Sequence, residues 1–408
     1  MRRPHVVASA VVCTLALASG AATSATASTS APAKSLRSAL RHALSSRHVD
    51  PDRTGALAVD LRSGQIVFQS NASLSMAPAS AEKLTVAFAA LRLLGPAFRF
   101  RTQVLGAGEL AGRVWHGNLY LVGMGDPTLG SPDLGSLARQ VAAWGIRRVD
   151  GRVVGDEQYY DARRDARGWK SEFLGYESRP LSALALQGVR LRGADTSAVV
   201  TAAAFRKALA RRGVTVTRAT RTGRAPSDVL PLALDYSEPL ASIVQEMNRE
   251  SDNFVAEMLL KQLGAELAGR GSTAAGAAVV RSELEAVGVP VVGVRVVDGS
   301  GLSLLDRLTP RALVTLLLTA ERDPGIREPF LASLSVAGIS GTLRDRLRRR
   351  PARGQVLAKT GTTNEACALA GFVRRRYVFA ILQNGSPVAW WSAREAQDRF
   401  VTLLARNN

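Results

Sequence analysis

The 408-residue sequence predicts an α/β (α+β) fold into which a second, strand-rich domain is inserted. Three observations lead there. Helix-like and strand-like patterns alternate at 34–96 and again at 236–408. Residues 97–235 have another texture, short β-like pieces broken by Gly and Pro turns, such as "HGNLYLVGMGDPTLG", "GRVVGDEQYYD" and "GVTVTRATRTG". Two motifs that could share one chemistry, "SAEK" at Ser80 and "SDN" at Ser251, stand 171 positions apart, on either side of that stretch.

Residues 1–27 read as a secretion signal. Arg2 and Arg3 precede an apolar run that ends in small residues at Ala25-Thr26-Ala27. Cleavage is expected near Ala27. The run is short for a retained membrane anchor, and no later stretch is long enough to span a bilayer. Residues 28–33 read as an exposed linker. "AKSLRSALRHAL" then has amphipathic helical spacing, and "TGALAVDLRSGQIVFQSN" reads as two strands turned at Arg62-Ser63-Gly64.

From Ser80, the apolar positions Leu84, Ala87, Phe88, Leu91 and Leu94 predict a helix ended by Gly95-Pro96. Ser80 falls at its first turn, with Lys83 one turn on along the same face. After the insertion, "SEPLASIVQEMNRE" predicts a helix with Ser237 as N-cap and Pro239 in the first turn. "SDN" breaks that run before "FVAEMLLKQLG". Further helices are expected at 272–288, 310–321 and in the closing "SAREAQDRFVTLLARNN". "QVLAKTGTT", "CALAGFV" and "YVFAILQNG" read as strands, the last two joined by a turn at Arg374 to Arg376.

Apolar residues make up 46% of the chain and charged residues 21%, a balance of folded rather than disordered proteins. The formal charge is +19, and loss of the two signal arginines leaves +17. Outside a cell such a charge suits anionic wall polymers or membrane surfaces; inside, it would suggest nucleic acid, which the signal argues against. The densest basic run, "LRDRLRRRPARG" at 343–354, reads first as a solvated helix end and loop. With Cys13 in the signal, Cys367 is alone, expected as a small buried hydrophobe with no internal disulfide.

Arginine is the generic cation here. Only six lysines occur: Lys34, Lys83, Lys170, Lys207, Lys261 and Lys359. Lysine, unlike arginine, can be tuned to a neutral amine. Lys83 alone follows a serine by three, Asn253 alone follows a serine by two, and Lys359 opens "KTGTT". A serine hydroxyl attacks only when a base takes its proton. No G-x-S-x-G is present, and His5, His42, His48 and His116 stand in no catalytic pattern, so Lys83 is the available base for Ser80. It must be neutral at attack, which burial and a cationic neighbour such as Lys359 would favour. Ser251 could pass a proton to a leaving amine, and Asn253 could bind a substrate amide. Lys359 would supply fixed positive charge, Thr360 and Thr362 hydroxyls for a terminal carboxylate, and Gly361 close approach. The N–H groups of Ser80 and Thr362 could form an oxyanion hole.

S-x-x-K, S-D-N and K-T-G, once each and in that order, are the signature of penicillin-binding proteins and class A β-lactamases. "PASAEKLTVAFAAL", "NLYLVGMGDPTL", "MNRESDNFVAEMLL", "DGSGLS" and "GQVLAKTGTTNEACALAGFV" together resemble the class C low-molecular-mass penicillin-binding proteins, a D-alanyl-D-alanine carboxypeptidase/endopeptidase family. The resemblance implies a serine β-lactamase/transpeptidase-like domain at 34–96 and 236–408, with an antiparallel sheet between helices, interrupted by a domain at 97–235. It implies cleavage of D-Ala-D-Ala peptide ends, or of cross-bridges, of peptidoglycan through an acyl-Ser80 intermediate, with β-lactams acylating the same serine. Ser80 would be the nucleophile, Lys83 the base, Ser251 and Asn253 the second motif and Lys359-Thr360-Gly361 the third. The insertion is shorter than in larger members. Leu304 stands where many relatives carry Arg after "DGSGLS", which questions a preference for a diaminopimelate-type side chain.

Asp126 could bind an ammonium end but reads better as a turn residue before Pro127, and Asp298 reads as structural. "LVGMGDPTLG" has Thr128 where a dinucleotide fingerprint needs its third glycine. No Walker loop, H-E-x-x-H or cysteine cluster occurs, so neither cofactor nor metal is expected. Two rivals stand beside the carboxypeptidase. A class A β-lactamase would need a deacylating glutamate in E-x-x-x-N between Ser251 and Lys359, and none is found. A non-catalytic penicillin-sensing or wall-binding protein would show a damaged motif, and all three are intact.

Overall fold

The computed structural model describes residues 31–189, 191, 196–374 and 376–408. The expected signal, with Cys13 and His5, and the start of the linker lie outside them, as does Arg375 in the expected hairpin turn.

The chain opens with α1 (Ala31–Leu44), β1 (Thr54–Asp60) and β2 (Ile66–Ser70). A 3-10 turn at Ala79–Glu82 leads into α2 (Lys83–Leu93). Next come β3 (Arg101–Ala111), β4 (Val114–Gly123), α3 (Ser131–Ala143), β5 (Arg148–Val149) and β6 (Val153–Asp156). A one-turn α4 (Phe173–Tyr176), α5 (Ser197–Arg211), β7 (Thr215–Val216), β8 (Arg221–Thr222) and β9 (Leu230–Tyr236) follow. The remainder is α6 (Leu240–Glu250), α7 (Asn253–Ala268), α8 (Thr273–Ala286), α9 (Pro310–Arg322), α10 (Arg327–Ser333), β10 (Ser335–Val336), β11 (Val356–Thr362), β12 (Ala366–Val373), β13 (Tyr377–Asn384) and α11 (Trp390–Arg406).

Among the described residues the strands form two sheets. The first is antiparallel, in the order β10-β11-β12-β13-β1-β2. Its centre is covered on both faces, which is why β12 reads "ACALAGFV" without polar alternation and is buried throughout. On one face lie α2, α6, α7, α8 and α9, sharing a core that includes Leu84, Phe88, Leu259, Leu316 and Leu382. On the other, Leu40 of α1 and Phe400 and Leu404 of α11 pack on Phe68, Phe379 and Ile381. Each such large apolar side chain contributes about 1.5–3 kcal/mol on leaving water. Helix α2 is buried from Lys83 to Leu91, so the serine-lysine motif opens a core helix rather than a surface one.

The second sheet spans residues 101–236, in the order β7-β5-β4-β3-β9, with β6 paired to β4 and β8 paired in turn to β6. The strand-rich texture there conceals two long helices, α3 and α5, beside the one-turn α4. Strands β4, β5, β6, β7 and β8 pair in parallel, and parallel pairs need a crossover. Helices α3 and α5 provide cover, packing Leu134, Leu137, Ala202 and Phe205 on Leu119, Val149 and Val153.

Two local expectations are corrected. Residues 31–33 belong to α1 rather than to a linker; Pro32 is tolerated because first-turn N–H groups need no helical partner. Ser237 does not cap α6, whose N-cap is Pro239. The Ser237 hydroxyl instead accepts from the Phe100 N–H at 3.0 Å and donates to the Glu238 carbonyl at 2.7 Å, binding the start of β3 to the end of β9.

Candidate active site

Ser80 sits in the 3-10 turn that feeds α2, and its side chain caps no helix. The residue before it, Ala79, has φ +46, a conformation that L side chains rarely adopt and that costs of order 1–3 kcal/mol. That backbone is held by β11. A Cβ on Gly361 would come within 2.9 Å of both Ser80 N and Pro78 O. Strand β10 pairs only with Leu357 and Ala358, so the edge of β11 from Lys359 to Thr362 is left open beside Ser80.

Ser251 ends α6 in the left-handed region, φ +59 and ψ +37. Asp252 then starts α7 by accepting from the Val255 N–H at 2.9 Å. The sharp joint turns Ser251 and Asn253 toward two buried lysines. Lys83 Nζ lies 2.9 Å from Ser80 Oγ, 2.7 Å from Asn253 Oδ1 and 2.8 Å from the Ser300 carbonyl. Lys359 Nζ lies 2.9 Å from Ser251 Oγ and 2.9 Å from the Thr360 carbonyl. Asn253 Nδ2 donates to the Glu177 carbonyl at 3.0 Å, which ties residues of the 97–235 segment to the site. Thr360 donates to the Thr342 hydroxyl at 2.7 Å, and Arg394 of α11 donates to Thr362 Oγ1 at 3.0 Å. All eight residues singled out in the sequence, Ser80, Lys83, Ser251, Asn253, Lys359, Thr360, Gly361 and Thr362, therefore meet along this open edge.

Burial sets the electrostatics. It lowers the Lys83 ammonium to about 8, against the pull of the Asp298, Glu257, Asp252 and Glu177 carboxylates. The cationic neighbour expected to depress Lys83 is felt in the other direction: burial and the charge of Lys83 push Lys359 well below its ordinary value. The charge of Lys359 is thus conditional rather than fixed. Glu82 and Glu257, both fully buried beside Lys83, are pushed up by burial and by neighbouring carboxylates, Glu257 to about 8.

The structure adds residues that the motifs did not reveal. Ser300, inside "DGSGLS", contributes a backbone carbonyl, which no side-chain pattern announces. Arg394 and Thr342 come from segments distant in sequence. Asp298 organises that loop, accepting from the Gly301 and Ser303 N–H groups, each at 2.7 Å, and from Trp169 Nε1 at 2.7 Å. Asp126 is a buried turn residue whose Oδ1 accepts from the Thr128 N–H and hydroxyl at 2.8 and 2.7 Å. A cleft of about 730 Å³ adjoins Ser251 and Asn253, walled by Pro127, Tyr176, Glu177 and Arg179. Cys367 is buried and free of any disulfide.

The sequence profile of the D-Ala-D-Ala carboxypeptidase 3 (S13) family matches residues 36–192 and 186–407. The D-alanyl-D-alanine carboxypeptidase of Actinomadura sp. (strain R39) is 31% identical over 81% of this chain and 78% of its own. Carboxypeptidase DacB of Mycolicibacterium smegmatis is 32% identical over 90% and 84%. Among solved structures, penicillin binding protein 4 (dacB) from Haemophilus influenzae superposes with a TM-score of 0.77 at 22% identity, covering 90% of this chain and 98% of that one. Its likeness is one of fold. The chain belongs to the D-Ala-D-Ala carboxypeptidase 3 (S13) family and is a serine-type D-Ala-D-Ala carboxypeptidase.

Proposed function

We propose that Ser80 is the nucleophile of this carboxypeptidase and that Lys83 is its base. The carrying observation is the 2.9 Å contact between Lys83 Nζ and Ser80 Oγ, with the amine lowered by burial to about 8. A neutral Lys83 takes the Ser80 proton as Oγ attacks the carbonyl of the penultimate D-Ala. The N–H groups of Ser80 and Thr362 receive the oxyanion. The proton that Lys83 took passes by way of the Ser251 hydroxyl, which Lys359 holds, to the departing D-Ala amine, and Lys83 is neutral again. Water then attacks the acyl-Ser80 ester; Lys83 takes the water's proton and returns it to Ser80 Oγ as the ester bond breaks and the new carboxylate leaves. The substrate lies as an extra strand along the open edge of β11, its peptide amide on Asn253 and its terminal carboxylate on Lys359, Thr360 and Thr362. That carboxylate restores the charge that burial and Lys83 take from Lys359.

Penicillins acylate the same serine in this reading; the Haemophilus protein has been solved with a β-lactam. Cleavage of cross-bridges is supported by the cleft beside Ser251 and Asn253, which has room for chain beyond the scissile bond. The site lies in a discontinuous domain, 34–96 with 236–408, and 97–235 is a domain inserted into it. The enzyme acts outside the cytoplasm after cleavage near Ala27. No helix among the described residues is long and apolar enough to cross a membrane. Anionic wall polymers are proposed as a second contact. The exposed Arg344, Arg348, Arg349, Arg350 and Arg353 follow Thr342, which bonds Thr360 in the site.

The test is intact mass after benzylpenicillin, wild type beside Ser80→Ala, followed by D-Ala release from a D-Ala-D-Ala peptide. A single persistent adduct on wild type alone, with D-Ala release lost in the variant, is expected. An adduct on Ser80→Ala would overturn the assignment. Penicillin consumed without any adduct would mark rapid turnover of the β-lactamase kind.

A further inference from the structure

Glu257 stands one helical turn beyond Asn253 on α7 and is fully buried. Its Oε1 accepts from the backbone N–H of Gly299 at 2.9 Å and of Ser300 at 2.8 Å. The carbonyl of that same Ser300 accepts from Lys83 Nζ at 2.8 Å. Helix α7 therefore reaches Lys83 twice, directly through Asn253 and indirectly through Glu257 and the 299–300 backbone.

The second route has a chemical consequence. A neutral amine has two N–H bonds and one lone pair. The Ser300 carbonyl can only accept. Asn253 presents its oxygen to Lys83, because its Nδ2 is engaged by the Glu177 carbonyl. Each acceptor takes one N–H, and the lone pair is left facing Ser80 Oγ at 2.9 Å. Without the Ser300 carbonyl the amine could turn and offer Ser80 a proton instead of accepting one.

What fixes that carbonyl is the question, since glycines flank it and Gly301 sits at φ +80. The Ser300 carbonyl belongs to the peptide unit whose N–H is that of Gly301, and Asp298 holds that N–H, as it does the N–H of Ser303. Glu257 holds the two peptide units before it, through the Gly299 and Ser300 N–H groups. We propose that Glu257 is a positioning residue for the Lys83 base: by fixing the two peptide units that lead into Ser300 it sets, together with Asp298 at the Gly301 N–H, the place from which the Ser300 carbonyl aims the lysine lone pair at Ser80. The proposal rests on the reading of Lys83 as base.

The charged groups around Glu257 are Lys83 of α2, Glu82 of the 3-10 turn, Asp298 of the loop with Asp306 behind it, and Lys261 further along α7. Burial and the neighbouring carboxylates push Glu257 up to about 8, so below that pH it is mostly protonated, and its neutral form still presents the acceptor oxygen to the two N–H groups.

Two substitutions separate geometry from charge. Glu257→Asp keeps the carboxyl group but withdraws the acceptor by one methylene. Glu257→Gln keeps an acceptor oxygen and cannot ionise. The second-order acylation rate with benzylpenicillin is measured across pH for both, with thermal unfolding and Lys83→Met alongside. Misplacement of a reacting group by about 1 Å can cost about 100-fold, and a loss of that order is expected in Glu257→Asp. Glu257→Gln leaves the acceptor oxygen in place and is expected to lose less, with the acid limb of its profile close to that of wild type. Glu257→Asp acylating at the wild-type rate and pH profile, per folded molecule, would overturn the proposal whatever its Tm. Glu257→Gln losing more than Glu257→Asp would assign Glu257 to charge rather than aim, and overturn it equally. Wild-type acylation in Lys83→Met would remove the base reading itself, a result distinct from either.

Discussion

The α-carbon of Gly361 faces the backbone of Ser80 so closely that a single added methyl would come within 2.9 Å of the serine nitrogen. The atoms it would meet are backbone, Ser80 N and Pro78 O, and neither can swing aside. The third motif therefore bears on Ser80, the proposed nucleophile, through shape. Gly361→Ala should shift the turn at Ala79-Ser80, which already holds a left-handed Ala79. Acylation by benzylpenicillin should fall by about 100-fold, as misplaced reacting groups do, while Tm changes little. A normal rate in a folded Gly361→Ala would disprove the steric argument.

The acylation rate should report Lys83. Its ammonium, lowered to about 8 by burial, must lose a proton before it can act as the proposed base toward Ser80. The rate with benzylpenicillin should then climb about tenfold per pH unit below 8 and level off above it. A profile flat from pH 6 to 9 would mean that Lys83 is already neutral, or is not the base.

Folding should feel the same lysine. Its folded value lies below the unfolded 10.5, so between about 8 and 10.5 the unfolded chain binds more protons than the folded one. Stability from this group therefore rises with pH across that window and is lost below it. A shift of this size corresponds to roughly 3 kcal/mol. Urea unfolding at pH 8 and pH 10 should give a shallower rise in Lys83→Met than in wild type. An unchanged slope would count against the buried, depressed amine.

Recognition of the substrate's end should run through Lys359. Charge-assisted hydrogen bonds contribute about 1.5–3 kcal/mol, or roughly 10- to 150-fold. Wild type should prefer a D-Ala-D-Ala peptide with a free carboxylate over its C-terminal amide by about that factor, and Lys359→Ala should lose the preference. Equal loss on both peptides would instead assign Lys359 to holding Ser251, its 2.9 Å neighbour.

Cys367 offers a check on packing. Its thiol is buried in β12, is pushed up by that burial, and accepts from Gln397 Nε2 at 3.4 Å. It should ignore a thiol-disulfide reagent at pH 8 until the protein is denatured. Fast labelling of the native enzyme would mean that the β12–α11 contact opens readily.

Much of this protein was legible in its sequence because the relevant signals are local. Helical spacing from Leu84 to Leu91, the "SDN" break after Glu250 and the apolar run of "CALAGFV" are consequences of neighbouring residues, and the structure keeps each. With only six lysines in the chain, Lys83 and Lys359 stand out by residue type alone. Helices α3 and α5 were hidden because the Gly and Pro turns around them dominate the pattern, and only the parallel strand pairs explain their presence.

Residue order alone specifies which chemical groups the enzyme has: one serine three residues before a lysine, one S-D-N and one K-T-G, in that order, with a stretch of different texture between the first two. Their states are set by the fold. Protonation depends on who is buried beside whom, so the depression of Lys83, the conditional charge of Lys359 and the raised Glu257 belong to no motif. The Ser300 carbonyl is a backbone atom, identical in every residue, and it becomes part of the site only because the fold carries it to within 2.8 Å of Lys83.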